Sequence, residues 1–162
     1  MSNLVAENEM FFNSFEPKTK NRFVVSIDGI PGWLIRKCAR PKLSQAEKVL
    51  PHINVNRYIK GKSTWNNISI SLYDAVVPSG AQAIMEWIRL HHESVTGRDG
   101  YADFYKKDVV ISVLGPVGDK VEEWILKGAF IVEADFGDLD FVTDDPADIT
   151  VTLRYDYAIL SY

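Results

Sequence analysis

The 162-residue sequence predicts a mainly β domain: a sandwich or barrel of antiparallel strands with a single α-helix. Three observations carry that prediction. From Trp124 onward the even positions read Trp124, Leu126, Gly128, Phe130, Val132, Ala134 and Phe136, a period of two that marks a strand with one buried face. A second alternation follows an acidic connection, with Ile149, Val151, Leu153, Tyr155, Tyr157 and Ile159 on one face. Only one segment, after Pro78-Ser79, keeps the 3.6-residue period of a helix.

The elements follow in chain order. Residues 1–20 form an N-terminal arm. Leu4, Val5, Met10, Phe11, Phe12 and Phe15 make it too apolar for a free tail, so it is expected to dock on its own domain or on a neighbour. Asn21–Asp28 reads as the first strand, with Phe23, Val25 and Ile27 on one face. Gly29, Pro31 and Gly32 turn the chain, and Trp33–Ala39 returns as a second strand that Arg40-Pro41 ends. Residues 44–53 fit a third strand, confined to an edge by Pro51. Residues 54–63 (NVNRYIKGKS) read as a basic connection with Gly61 near its tip, and Thr64–Asp74 as the next strand. A protruding basic hairpin over 54–74 is the expectation. The helix is placed at 79–95. Ser79 and Gln82 sit at capping-box spacing, Ala81, Ile84, Trp87, Ile88 and His91 share one face, and Gly97 terminates it. Val109–Leu114 is a strand, and Gly115–Asp119 turns it into the long strand described first. A run of about 16 residues exceeds the usual 3–10, so Gly128 is expected to mark a bend or bulge. No linker or internal repeat divides the chain, which favours one domain spanning 1–162.

Composition excludes several classes. A hydrophobic content of 46% and aromatic content of 12% argue against disorder. No apolar run approaches the roughly 18 residues of a membrane helix. The N-terminal MSNLVAENEMFF carries acids where a signal peptide needs a basic start, which predicts a protein used in the cytosol or released by lysis. The single cysteine, Cys38, rules out an intrachain disulfide framework and reads as a small half-buried residue. The net charge of −4 conceals an asymmetry. Residues 1–76 carry 11 Lys/Arg and 6 Asp/Glu, net +5, whereas 77–162 carry 7 and 16, net −9. Arg57, Lys60 and Lys62 belong to the first excess, and Asp138, Asp140, Asp144 and Asp145 to the second. The two groups either pair within the fold or join copies of the protein; charge alone does not choose.

Catalytic and cofactor chemistry is missing, so an enzyme is not expected. His91 and His92 are adjacent on the helix and point about 100° apart, unlike the i, i+4 pair of a zinc helix. The acidic segment lacks the central glycine and terminal glutamate of a calcium loop. The glycine turns GRDG and GPVGD carry no phosphate-binding fingerprint, and no residue set offers an activated nucleophile. No cofactor and no metal is predicted.

One pattern is more specific. Lys127-Gly128-x-Phe130 precedes Gly137-x-Leu139-x-Phe141, an acidic turn, and Ile149-x-Val151-Thr152-Leu153-x-x-Asp156-Tyr157. Upstream stand NRFxVxI, a basic hairpin, TWxxxxIxLYDA, a Trp87-bearing helix and Asp103-Phe104-Tyr105-Lys106-Lys107. In this order, over about residues 15–162, the chain resembles the tail tube proteins of contractile-tailed, T4-like bacteriophages. The arm 1–14 has no counterpart in that pattern. The resemblance implies homohexameric rings whose strands join into one β-barrel. The rings stack into a tube inside a sheath, which meets baseplate or initiator and terminator proteins. DNA passes through the channel without specific binding. It places the protein in the virion tail, assembled in the host cytoplasm and without membrane contact. Tube initiators, baseplate tube components and secretion-type tubes share the fold. In another class, a monomeric carbohydrate-binding β-sandwich would use Trp33, Trp65, Trp124 and Tyr101 for stacking on sugars. Under the tube reading, Arg57, Lys60, Lys62, Asp138, Asp140, Asp144 and Asp145, with Met10, Phe11 and Phe12 of the arm, are the expected ring or subunit interface.

Overall fold

A computed structural model describes residues 16–161. Its strands are β1 (Phe23–Ile27), β2 (Ile35–Cys38), β3 (Leu43–His52), β4 (Val55–Trp65), β5 (Ile68–Tyr73), β6 (Lys107–Leu114), β7 (Lys120–Asp135), β8 (Asp148–Arg154) and β9 (Tyr157–Leu160). Between β5 and β6 lie the helix α1 (Gly80–His91) and the single turn α2 (Ala102–Tyr105). All pairings are antiparallel. Seven strands form one sheet, six of them in the path β1-β6-β7-β8-β5-β2 and β9 off it beside β7, and β3-β4 stand apart as a two-stranded ribbon. The mainly β prediction with one substantial helix is met.

β7 is shared by two halves of the sheet. Lys120–Ala129 run along β6, and Phe130–Asp135 run along β8. Gly128 makes the transition possible: its φ is +66°, and the β6 register shifts beside it. One residue of slip exchanges the faces of a strand. Before Gly128 the buried positions are Glu122 and Leu126; after it they are Ala129 and Ile131. The bulge expected at Gly128 is therefore present, but the inward face does not continue on even positions, and Val132 and Phe136 point outward. The segment 149–160 is likewise not one strand. Ile149, Val151, Leu153 and Tyr155 are buried, then the chain breaks at Asp156, whose N–H donates to the Lys127 carbonyl at 2.9 Å. Tyr157–Leu160 resume as β9 along the first half of β7, with Tyr157 and Ile159 exposed.

The core joins Val25, Ile68, Ile70, Leu72, Leu126 and Leu153 from the strands, and Leu34 from the 3-10 turn Gly32–Leu34, to Ile84 and Trp87 of α1. Ser79 caps the helix by accepting the Gln82 N–H at 3.4 Å. The helix ends at His91, short of the expected 95, because His92 is already extended and bridges Asp99. The Trp87 indole donates to the Tyr105 carbonyl at 2.7 Å, which ties α2 to the helix and satisfies the one polar atom this core tryptophan brings.

The largest difference from the sequence reading lies at the hairpin. It spans Leu43–Trp65, not 54–74, and turns at Ile53-Asn54. Residues 55–65 are a strand, not a connection. Both faces of this ribbon meet solvent, so no period-two burial pattern marks it. Gly61 lies at a bulge beside Ala46, where an added Cβ would come within 3.0 Å of the Ala46 carbonyl, and not at the tip.

Candidate assembly surfaces

The ribbon β3-β4 leaves the domain between β2 and β5 and pairs with no other described strand. A two-stranded hairpin is marginal by itself in water. This one nevertheless exposes Val49, Leu50, Ile53, Val55, Tyr58 and Ile59. Cross-strand register sorts its side chains. Glu47-Lys60 and Val49-Tyr58 share one face, whereas Lys48-Ile59 and Leu50-Arg57 share the other. Arg57 thus points away from Lys60, and the bulge at Gly61 interrupts the alternation before Lys62, so the trio grouped by sequence does not share one face of the ribbon. Among the described residues no ion pair involves Lys48, Arg57, Lys60 or Lys62.

The acidic residues occupy the loop from β7 to β8. Asp138, Asp140, Asp144 and Asp145 are all exposed, and none pairs with a base among the described residues. Asp140 accepts the Val142 N–H at 3.0 Å, a local turn contact. Leu139, Phe141 and Val142 stand almost wholly in solvent beside them. Sequence reasoning noted Leu139 and Phe141 only as motif positions; apolar side chains inside an acidic turn were the available sign of a contact surface.

Strand register separates the two surfaces. Ile68, next to the ribbon, pairs with Leu153, and Tyr73, at the other end of β5, pairs with Asp148 at the end of the acidic loop. Five strand steps of about 3.3 Å place roughly 17 Å between those ends. The basic ribbon and the acidic loop leave opposite ends of the same strands and do not pair within the described chain. Met10, Phe11 and Phe12 lie outside the described residues.

A third feature escaped the sequence reading. β1 and β2 are the two ends of the strand path, and an open pocket of about 440 Å³ lies between them. Phe23, Cys38, Ile111 and Val113 give it apolar walls, and Lys18, Lys20, Arg36, Lys37 and Arg40 surround these with positive charge. At its edge the buried Glu122 receives Lys18 Nζ at 2.5 Å, Arg40 Nη1 at 3.4 Å and the Trp124 indole N–H. Glu122 shares the inward phase of Trp124 and Leu126, so the alternation already placed a carboxylate on the buried face. Burial pushes its pKa up, but Lys18, Trp124 and Arg40 outweigh that and hold it below the usual carboxylate value. Burial alone pushes the Cys38 thiol up to about 12, which fits the half-buried residue expected and not a reactive nucleophile.

A folded-state pKa held low stabilises above the unfolded carboxylate value, about 4.3, and that contribution fades as pH falls through the folded value. Glu122→Gln is expected to cost about 1–2 kcal/mol near neutral pH, discounted because Lys18 and Arg40 are largely exposed. In urea titrations of both proteins, the difference should shrink below about pH 4. A gap that persists unchanged at pH 3 would contradict the ionic account.

Among the described residues no group of His, Cys, Asp and Glu could hold a metal ion, and no helix is long and apolar enough to cross a membrane. The four aromatic residues of the sugar-binding alternative are not gathered. Trp65 packs against Tyr155, Trp124 bonds Glu122, and neither the pocket above nor a smaller one in the acidic loop is lined by Trp33, Trp65, Tyr101 or Trp124.

No protein-family model and no curated protein matches the sequence. Solved structures do match the fold. A chain of the anti-feeding prophage cap, its tube-terminating cap, aligns with TM-score 0.76 and 17% identity over 97% of this chain and 99% of that one. A chain of the PVC sheath/tube terminator of an extracellular contractile injection system aligns at 0.74, with 21% identity over 93% and 100%. Hcp1 from Flavobacterium johnsoniae aligns at 0.51, with 11% identity over 86% and 94%. At these identities the likeness is one of architecture: the chain has the mainly antiparallel, single-helix fold found in tube and terminator structures of contractile injection systems.

Proposed function

We propose that this chain is a structural subunit of the inner tube of a contractile tail or tail-like injection device, assembled through copies of itself into stacked hexameric rings. The observation that supports this most is the β3-β4 ribbon. It is a 23-residue excursion, 43–65, with apolar side chains on both faces, and the described residues leave it uncovered. A monomer gains nothing from it, whereas a neighbouring copy would bury those faces. The acidic loop at the opposite end of β5 and β8 supplies the complementary charge for a head-to-tail contact between rings. Such a contact is heterologous and continues without closing, which is what a tube requires. In the phage form of this reading the tube lies within a sheath, and its channel conducts DNA during ejection. No catalytic step belongs to this role.

A second position in the same device, at the end of the tube, draws support from the order of likeness. The cap and terminator chains align at 0.76 and 0.74, and a chain of the PVC sheath-tube complex aligns at 0.67. Negative-stain electron microscopy of the purified protein, dilute and then concentrated, tests both. Hollow tubes are expected for a tube subunit, and rings that do not stack for an end subunit. Small monodisperse particles at every concentration, together with a hit in a glycan-binding screen, would move the assignment to the monomeric binding module.

A further inference from the structure

We infer that the pocket between β1 and β2 is the docking site of the chain's own N-terminal segment, residues 1–15, which closes the seam where the two end strands fail to meet. This holds whether or not the chain builds tubes.

Continuity comes first. Lys18 and Thr19 line the pocket, so residues 1–15 enter the described structure at its rim. The Lys18-Glu122 contact fixes that entry point beside Val113, the cross-strand partner of Glu122. Phe15 precedes Lys18 by three residues, and Phe11 and Phe12 by seven and six. At about 3.3–3.6 Å per residue, all three fall within roughly 25 Å of the anchor. Composition is the second support. The segment carries Leu4, Val5, Met10, Phe11, Phe12 and Phe15 with Glu7 and Glu9, and no lysine or arginine. The pocket offers the reciprocal surface, with apolar walls inside a basic rim. Its volume of about 440 Å³ lies within the 300–1,000 Å³ of ordinary ligand pockets. A segment tethered at the rim also meets the pocket at a high effective concentration, commonly millimolar for short tethers, so its own pocket outcompetes that of another copy in dilute solution.

Cys38 makes the inference testable, because it is the only cysteine of the chain and it lines the pocket. In the full chain, Cys38 is expected to react slowly with a maleimide. The Phe11→Ser/Phe12→Ser/Phe15→Ser variant should react about tenfold faster or more, as an uncovered site does. Independently, Phe11→Cys, Phe12→Cys and Phe15→Cys are made one at a time and oxidised in dilute solution. At least one should form an intramolecular disulfide with Cys38, seen as a faster-migrating, reducible monomer band. A disulfide requires Cβ atoms about 3.5–4.5 Å apart, so that band reports docking directly even if the triple variant folds poorly. Disulfide-linked dimers as the main product would instead place a second copy's arm in the pocket and overturn the inference. So would Cys38 reactivity unchanged in a folded triple variant.

Discussion

If the chain builds the tube proposed above, the combined reversal Arg57→Glu/Lys60→Glu/Lys62→Glu is expected to abolish the stacking of its rings while leaving the fold intact. The three side chains are exposed and make no ion pair among the described residues, so the core is untouched by their reversal; the one local cost is the glutamate placed opposite Glu47 by Lys60→Glu. A single exposed pair contributes only about 0–1 kcal/mol. Repeated around the proposed six-membered ring, with attraction turned into repulsion, the change amounts to on the order of 10 kcal/mol per ring contact. Growth should also weaken as salt rises, because the screening length falls from about 10 Å at 0.1 M to about 3 Å at 1 M. The decisive experiment is rescue. Reversing Asp138, Asp140, Asp144 and Asp145 to lysine should also stop growth, and a chain carrying both reversals should stack again. Because Arg57 faces away from Lys60, Arg57→Glu and Lys60→Glu made separately reveal which ribbon face meets the next ring. Normal tubes from the triple variant would show that apolar contacts hold the rings and that the charge serves solubility.

The fold was legible wherever one face of an element is buried. Phe23, Val25 and Ile27, then Ile68, Ile70 and Leu72, alternate in the sequence and turn inward in the structure. Ile84 and Trp87 keep helical spacing and reach the core. The ribbon was misread because burial is what writes periodicity into a sequence, and 43–65 is buried on neither face. Its strand character rests on pairing alone, which composition does not record. The second misreading has a different cause. Beyond Gly128, Phe130, Val132 and Phe136 keep the even spacing of Trp124 and Leu126, but a bulge moves the core side to Ala129 and Ile131. The glycine was visible, but the direction of the slip was not.

The candidate surfaces were half legible. The charge excesses are a property of composition, and the structure places them at opposite ends of β5 and β8. The pocket was not readable, because Phe23, Cys38 and Ile111 come from three strands brought together only by the β1-β6 pairing and the approach of β2. Charged residues scattered from Lys18 to Arg40 carry no spacing that foretells a common rim.

Gly128→Val is expected to cost about 3–4 kcal/mol, as much as truncating a large core side chain. At φ +66° any Cβ is strained by about 1–2 kcal/mol, and a β-branched side chain more. Here the new atom would also stand 2.3 Å from Asp156 Oδ2. Withdrawing the Asp156 carboxylate means giving up Lys106 Nζ, which lies 3.0–3.1 Å from both its oxygens, while the Asp156 N–H stays bound to the Lys127 carbonyl. Relief by straightening the bulge is worse, because it would turn Ala129 and Ile131 out of the core. Smaller substitutions separate these contributions. Gly118 has φ +85° in the β6-β7 turn, with nothing within 4 Å of a built Cβ, so Gly118→Ala should cost only the backbone strain of about 1 kcal/mol. Gly128→Ala should cost about 1–2 kcal/mol more than that, and the excess should largely vanish in an Asp156→Ala background. Urea denaturation at a concentration where the chain is monomeric, with Asp156→Ala alone as the reference for the double variant, gives each of these values. If Gly128→Ala matched Gly118→Ala, Asp156 would not brace the bulge. β7 would then owe its change of face to backbone conformation alone.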